Sequence, residues 1–168
     1  MINYTTKRNS ISILFIFYHS IIIMLFYATA FIDSFFFLHS LQFVDVRISM
    51  PWGHVVGRWF GNRQVRPLLA LHGWLDNMGT WNNLLPLLPP HTGVLCIDLP
   101  GHGHSSKLPK GIVYHAVDYV CVILRIMQEY EWSKVSILSH SMSSMTSFVF
   151  ASLYPERLDM LICIDIIH

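Results

Sequence analysis

Ser141 sits in the run Ser139-His140-Ser141-Met142-Ser143, directly after the apolar run VSIL at 135–138 and ahead of a helical pattern. A serine on a sharp strand-to-helix turn can serve as a nucleophile. The usual form of that turn is G-x-S-x-G, since strand and helix pass so close that only minimal side chains fit beside the serine. Serine occupies both glycine positions in this chain. A non-glycine residue in a sparsely populated backbone region costs about 1–3 kcal/mol, so the turn is feasible but strained. The competing account is a serine-rich turn whose hydroxyl caps the following helix.

Such a nucleophile needs two backbone N–H donors aimed at the developing oxyanion. One belongs to the residue after it, Met142, and the other to the loop after an earlier strand. The apolar run LLAL at 68–71 is followed by His72-Gly73-Trp74, which makes Trp74 the second donor, with Gly73 letting the backbone turn. Taken alone, His72-Gly73 is also an ordinary strand-ending turn. After VLCI at 94–97 comes Asp98-Leu99-Pro100-Gly101-His102-Gly103-His104-Ser105, whose proline and glycines define a tight loop that Asp98 can tie together through its N–H groups. A metal site at His102 and His104 is the alternative, but partner ligands are missing. After MLICI at 160–164 comes Asp165, 24 residues beyond Ser141. It is a candidate triad acid, or simply a polar strand terminus. A triad in this kind of fold runs Ser, then Asp or Glu, then His along the chain. The histidine that follows Ser141 is His168, the last residue, so no general base is expected at the required place.

These residues all follow short apolar runs, and that placement points to a parallel sheet. Continuous runs bounded by polar segments are how strands buried on both faces read, and ligands in open α/β sheets bind at the carboxyl ends of the strands. Val44, Val46, Ile48 and Met50 alternate with polar residues as a half-buried strand; Pro51-Trp52-Gly53 is a turn, and 54–60 returns as a hairpin. Val113, Ala116, Val117, Val120, Leu124 and Met127 form one face of an amphipathic helix of about four turns. Thr80 to Leu88 is a shorter helix candidate, stopped by Pro89-Pro90, and Met145, Phe148, Val149 and Ser152 mark a third, ending near Tyr154-Pro155. Strand and helix in alternation imply right-handed crossovers and a mostly parallel sheet.

With 168 residues the chain holds one domain, and it divides near Leu41 into a hydrophobic extension, 1–41, and a globular part, 42–168. A formal net charge of +1 and the lack of a basic cluster argue against a nucleic-acid partner. Cys96, Cys121 and Cys163 read as buried free thiols, which lean toward a reducing compartment. Residues 9–32 carry no charged side chain and follow Lys7-Arg8. Three readings stay open for 11–32. It spans a bilayer with the N-terminus cytoplasmic, it is a signal peptide with Ala28-Thr29-Ala30 at the cleavage site, or it is a leader belonging to no domain. Localisation follows from that choice: membrane-associated with an anchor, cytoplasmic without one.

The segments MPWGH, LALHGWLDN, DLPGHGHSS and ILSHSMSSM, in this order, resemble the serine hydrolase-like proteins of the α/β-hydrolase superfamily, and LHGWLDN is the most distinctive of them. The resemblance runs from about Val44 to Ile166. It implies an α/β-hydrolase fold and hydrolysis of a small ester-like or acyl substrate without a cofactor, with Ser141 as nucleophile and Trp74 and Met142 as oxyanion donors. It also places the acid after the sixth strand, at Asp165, or one strand later. The departures are Ser139, Ser143 and Ser144, where the family has glycine. The domain is expected to be truncated after the sixth strand, with an exposed apolar edge there and no turnover by this chain alone. The alternative is a membrane-tethered, non-catalytic hydrolase-like protein that binds a ligand in the remnant pocket.

Overall fold

The computed structural model describes residues 3–4, 12–16, 42–89 and 91–165. Eight described strands form one sheet: β1 (Asn3–Tyr4), β2 (Ser12–Ile16), β3 (Phe43–Met50), β4 (Gly53–Phe60), β5 (Leu68–Leu71), β6 (Val94–Ile97), β7 (Val135–His140) and β8 (Leu158–Ile164), in the spatial order β1-β2-β8-β7-β5-β6-β4-β3. The run β2-β8-β7-β5-β6 is parallel, while β4 pairs with β6 and β3 with β4 in antiparallel fashion. The hairpin and the four buried runs therefore appear where the hydrophobic pattern predicts them. Every residue of β6 is buried, as a strand covered on both faces requires.

Two α-helices cover one face. The first, α1 (Ala116–Glu129), starts at His115, whose backbone N–H donates to Asp118 Oδ2 at 2.7 Å. Its buried face is Tyr119, Val120, Val122, Ile123, Ile126 and Met127. Val113 and Val117, expected on that face, are exposed. The second, α2 (Met142–Leu153), buries Ser143, Ser144, Thr146, Ser147 and Phe150 and leaves Met145 exposed. Small hydroxyl residues take the first two turns of the inner face, and Phe150 takes the third. The expected helix over 80–88 is instead two 3₁₀ turns, Met78–Trp81 and Leu85–Leu87. Asn77 starts the first by accepting from Gly79 N, and Pro86 lies in the first turn of the second, which is too short to continue.

Of the stretch 11–32 only Ser12–Ile16 is described. It is a strand, not part of a helix, and pairs in parallel with Met160–Ile164 of β8. The β8 edge, expected to lie bare, thus has a neighbour on this side. The bilayer-span, signal-peptide and leader readings otherwise fall on residues outside the described set. Among the described residues no helix is long and apolar enough to cross a membrane. Cys96 and Cys163 are buried free thiols as expected, whereas Cys121 lies exposed on α1.

The main core packs α1 and the inner face of α2 on the sheet through Ile123, Ile126, Leu71, Leu95, Ile137 and Phe150. Phe150 is fully buried against Tyr154, ring centroids 5.6 Å apart. Phe150→Ala should cost about 3–5 kcal/mol, the usual range for deleting a buried aromatic ring. Urea unfolding followed by far-UV circular dichroism measures this as a lowered midpoint with an unchanged slope.

Candidate active site

The register of the parallel strands gathers the residues singled out by sequence at one end of the sheet. Leu71 pairs with Ile97 and with Ser139, and His140 pairs with Ile164. The next residues, His72, Asp98, Ser141 and Asp165, therefore leave the sheet together at its carboxyl edge.

Ser141 joins β7 to α2 with φ 52° and ψ −116°, a strained conformation for a residue with a side chain. Its amide donates to Ile164 O at 3.0 Å, and its carbonyl accepts from Ser144 N at 2.9 Å. These two bonds hold the turn between β8 and the first turn of α2. Ser141 stands at the N-cap position, yet its hydroxyl makes no capping bond. The capping account of this serine therefore does not describe the geometry.

Gly73 faces this turn. A Cβ placed on it would stand 3.3 Å from Ser141 Cβ and 2.9 Å from His140 Nδ1. Glycine is needed here for close approach. The positive φ in this loop falls instead on Leu75, at 54°. Trp74 follows, 62% exposed. The ring of His140 does not hydrogen-bond Ser141 Oγ; its Nδ1 is buried against the Gly73 loop and has no partner. Asp165 is exposed at the end of β8 with φ 54°, beside the Ile164 carbonyl that receives the Ser141 amide. His168 lies outside the described residues.

The serines in glycine positions are built in. Ser139 is fully buried, and its Oγ donates to Ile162 O at 3.3 Å and lies 3.4 Å from Cys163 Sγ. Burial raises the Cys163 thiol above its ordinary value, an effect opposed by the Ser139 and Ser144 hydroxyls. Ser143 Oγ donates to His72 O, and Ser147 Oγ donates to Ser143 O at 2.8 Å. This hydroxyl network is what sequence reasoning missed. The signal available for it was the run of small hydroxyl residues at 139, 143, 144 and 147.

The Asp98 loop is a structural brace, as its glycines and proline predict. Asp98 Oδ1 accepts from Met78 N at 2.7 Å and Oδ2 from His104 N at 2.8 Å. A Cβ on Gly103 would stand 2.0 Å from Oδ2, and φ there is 49°. Ser105 Oγ accepts from Val56 N at 2.9 Å, fastening the loop to β4. His102 packs edge-on against His72 at 5.0 Å and against Trp74 at 6.2 Å. Among the described residues no three His, Cys, Asp or Glu side chains gather as metal ligands would.

A mostly parallel sheet with a strained serine at the strand-to-helix turn and a glycine loop facing it defines an α/β-hydrolase. The chain belongs to that family, matching the one described as "alpha/beta hydrolase fold" over residues 66–168. Within it the chain is of the serine hydrolase-like kind. It is 45% identical over 123 residues to the probable serine hydrolase of Drosophila melanogaster, covering 73% of this chain and 37% of that one. It is 40% identical over 121 residues to the serine hydrolase-like protein of Danio rerio, covering 72% and 37%. A solved structure, the hypothetical protein PA1622 of Pseudomonas aeruginosa PAO1, superposes with a TM-score of 0.69 at 36% identity over 73% of this chain and 43% of that one. The chain thus spans little more than a third of the length of the fly and zebrafish relatives.

Burial of His72 predicts a pH dependence of stability. It is fully buried; Nε2 accepts from Leu99 N at 3.0 Å, so Nδ1 carries the hydrogen and donates to Gly73 O at 2.8 Å. Burial holds its pKa below the ordinary 6.5, ahead of the opposing bond to Gly73. The unfolded chain then binds a proton that the folded chain resists. The contribution of this residue to stability is complete above pH 6.5 and is lost as pH falls from there toward the folded pKa. Thermal melts across this range should show a smaller drop in His72→Gln than in the parent; an equal drop would assign the dependence to other groups.

Proposed function

We propose that the protein is a serine hydrolase acting on a small ester-like or acyl substrate, with Ser141 as nucleophile. The observation that carries this reading is Ser141 itself, held at φ 52° on the strand-to-helix turn with a hydroxyl that caps nothing. Strain of about 1–3 kcal/mol persists where the surrounding structure over-determines it, and such positions cluster at active sites.

In this mechanism Ser141 Oγ attacks the acyl carbon as a base takes its proton, and the carbonyl oxygen becomes an oxyanion. The amides of Met142 and Trp74 are the donors assigned to that oxygen. The Met142 amide opens α2, where backbone N–H groups lack helical partners and the helix dipole favours negative charge. Collapse of the tetrahedral anion, with the base returning its proton to the departing oxygen, expels the alcohol and leaves an acyl-serine, which water then hydrolyses. No cofactor enters these steps. Asp165, at the level of the turn, is assigned the role of carboxylate partner to the base. Among the described residues no imidazole hydrogen-bonds Ser141 Oγ. We assign the base to the part of the relatives' length that this chain does not span, and the activity to the protein that includes it.

Removing a triad member leaves a residual rate of only about 10³–10⁴-fold over water. A fluorophosphonate probe should label the full-length protein, with the adduct on the peptide containing Ser141. Ser141→Ala should abolish labelling. Persistent labelling in that variant, or none in the parent, rejects the assignment.

A further inference from the structure

Resting on the reading of Ser141 as nucleophile, we infer that Ser143 is a positioning residue: its hydroxyl clamps the start of α2 to the end of β5 and so sets the separation of the two amides that flank Ser141. The clamp is visible as a single bond. Ser143 Oγ donates to the carbonyl of His72, and both residues are buried, Ser143 at 1% and His72 at 0% exposure. That carbonyl belongs to the peptide that enters Gly73-Trp74. Ser143 directly follows Met142. One hydroxyl therefore couples the two segments assigned to the oxyanion, which reach this end of the sheet from strands whose paired positions are Leu71 and Ser139.

The bond is supported from the next turn on the same buried face of the helix. Ser147 Oγ donates to Ser143 O at 2.8 Å, which ties the first turn of α2 to the second. Ser139 Oγ anchors the end of β7 to Ile162 O on β8 at 3.3 Å. Position 143 is one of those at which the serine hydrolase-like resemblance expects glycine. Glycine has no donor to offer the His72 carbonyl, so the bond is a feature of this chain's own side chains. It acts where small displacements matter: Gly73 already approaches Ser141 so closely that a Cβ would be 3.3 Å from Ser141 Cβ. Donors to an oxyanion work only within a few tenths of an ångström of the right distance.

The test compares Ser143→Ala, Ser143→Cys and Ser143→Thr in the full-length protein. Cysteine and threonine both enlarge the side chain, but cysteine is a weak donor while threonine keeps the hydroxyl. The first readout is the rate of fluorophosphonate labelling at Ser141. Loss of one buried hydrogen bond should slow it about tenfold in Ser143→Ala and Ser143→Cys, with Ser143→Thr closer to the parent. The second readout does not depend on activity. Protein labelled with carbonyl-13C histidine and 15N glycine reports His-Gly peptides, which within these 168 residues are His72–Gly73 and His102–Gly103, and Gly73→Ala assigns the first of them. The Gly73 correlation should move in Ser143→Ala and Ser143→Cys while the Gly103 correlation stays. Labelling at the parent rate in both variants overturns the inference. A parent protein that is never labelled overturns the reading of Ser141; in that case a stationary Gly73 correlation overturns the clamp as well, and a shifted one upholds it as a structural coupling.

Discussion

Parallel pairing of β5 with β7, Leu71 opposite Ser139, brings Gly73 against Ser141, and the rest of the site is arranged around that approach. The distance is too short for a side chain on the β5 side. It also leaves little room beneath α2, which must start immediately after Ser141. The backbone of Ser141 is driven to φ 52° because β7, α2 and the Ile164 carbonyl each demand their own direction from it. Strain at this turn is the outcome of three well-made elements meeting at one residue.

The serines that replace glycine show how such a turn accommodates extra atoms. Each added hydroxyl is buried, and an unpaired buried hydroxyl would cost about 1–3 kcal/mol. Ser139 and Ser143 instead find backbone carbonyls, Ile162 O on β8 and His72 O just past the end of β5, and Ser147 bonds back to the preceding turn of its own helix. The result is a helix whose inner face is polar in composition yet satisfied in its bonds. The usual amphipathic logic is inverted in α2, where Met145 faces outward while Thr146 and Ser147 face the sheet.

Behind the turn, the loops after β5 and β6 are locked to each other. His72 bridges them by accepting from Leu99 N and donating to Gly73 O. Asp98 accepts amides from two directions, Met78 and His104. A neutral imidazole is required for the first bridge, since a protonated ring would have no lone pair for Leu99. The glycine loop that faces Ser141 is thus held by a group whose burial favours the uncharged form.

Much of this was legible in the chain itself. Apolar runs of four or five residues separated by a helical period read as strands buried on both faces, being too short for helices, and VLCI is buried at every residue. The strand-to-helix placement of Ser141, the loop at Gly73 and the brace built on Asp98 follow from residue types whose local requirements are strict. The side chains of α2 were less legible, because periodicity reports which residues could face a core and not how close the core comes; Met145, one of the residues that mark the helix, is exposed. The segment 80–88 was misread, since Asn77 and the proline within Leu85–Leu87 favour short turns that a hydrophobic pattern does not register. By itself the sequence determined the alternation of strand and helix and the nucleophile-like serine, because those depend on local pattern. Only the tertiary structure decided that the serines at 139 and 143 are partnered, that Gly73 serves close approach rather than a turn, and that β2 lies against β8. Each of these depends on distances between segments far apart in the chain, which residue spacing does not contain.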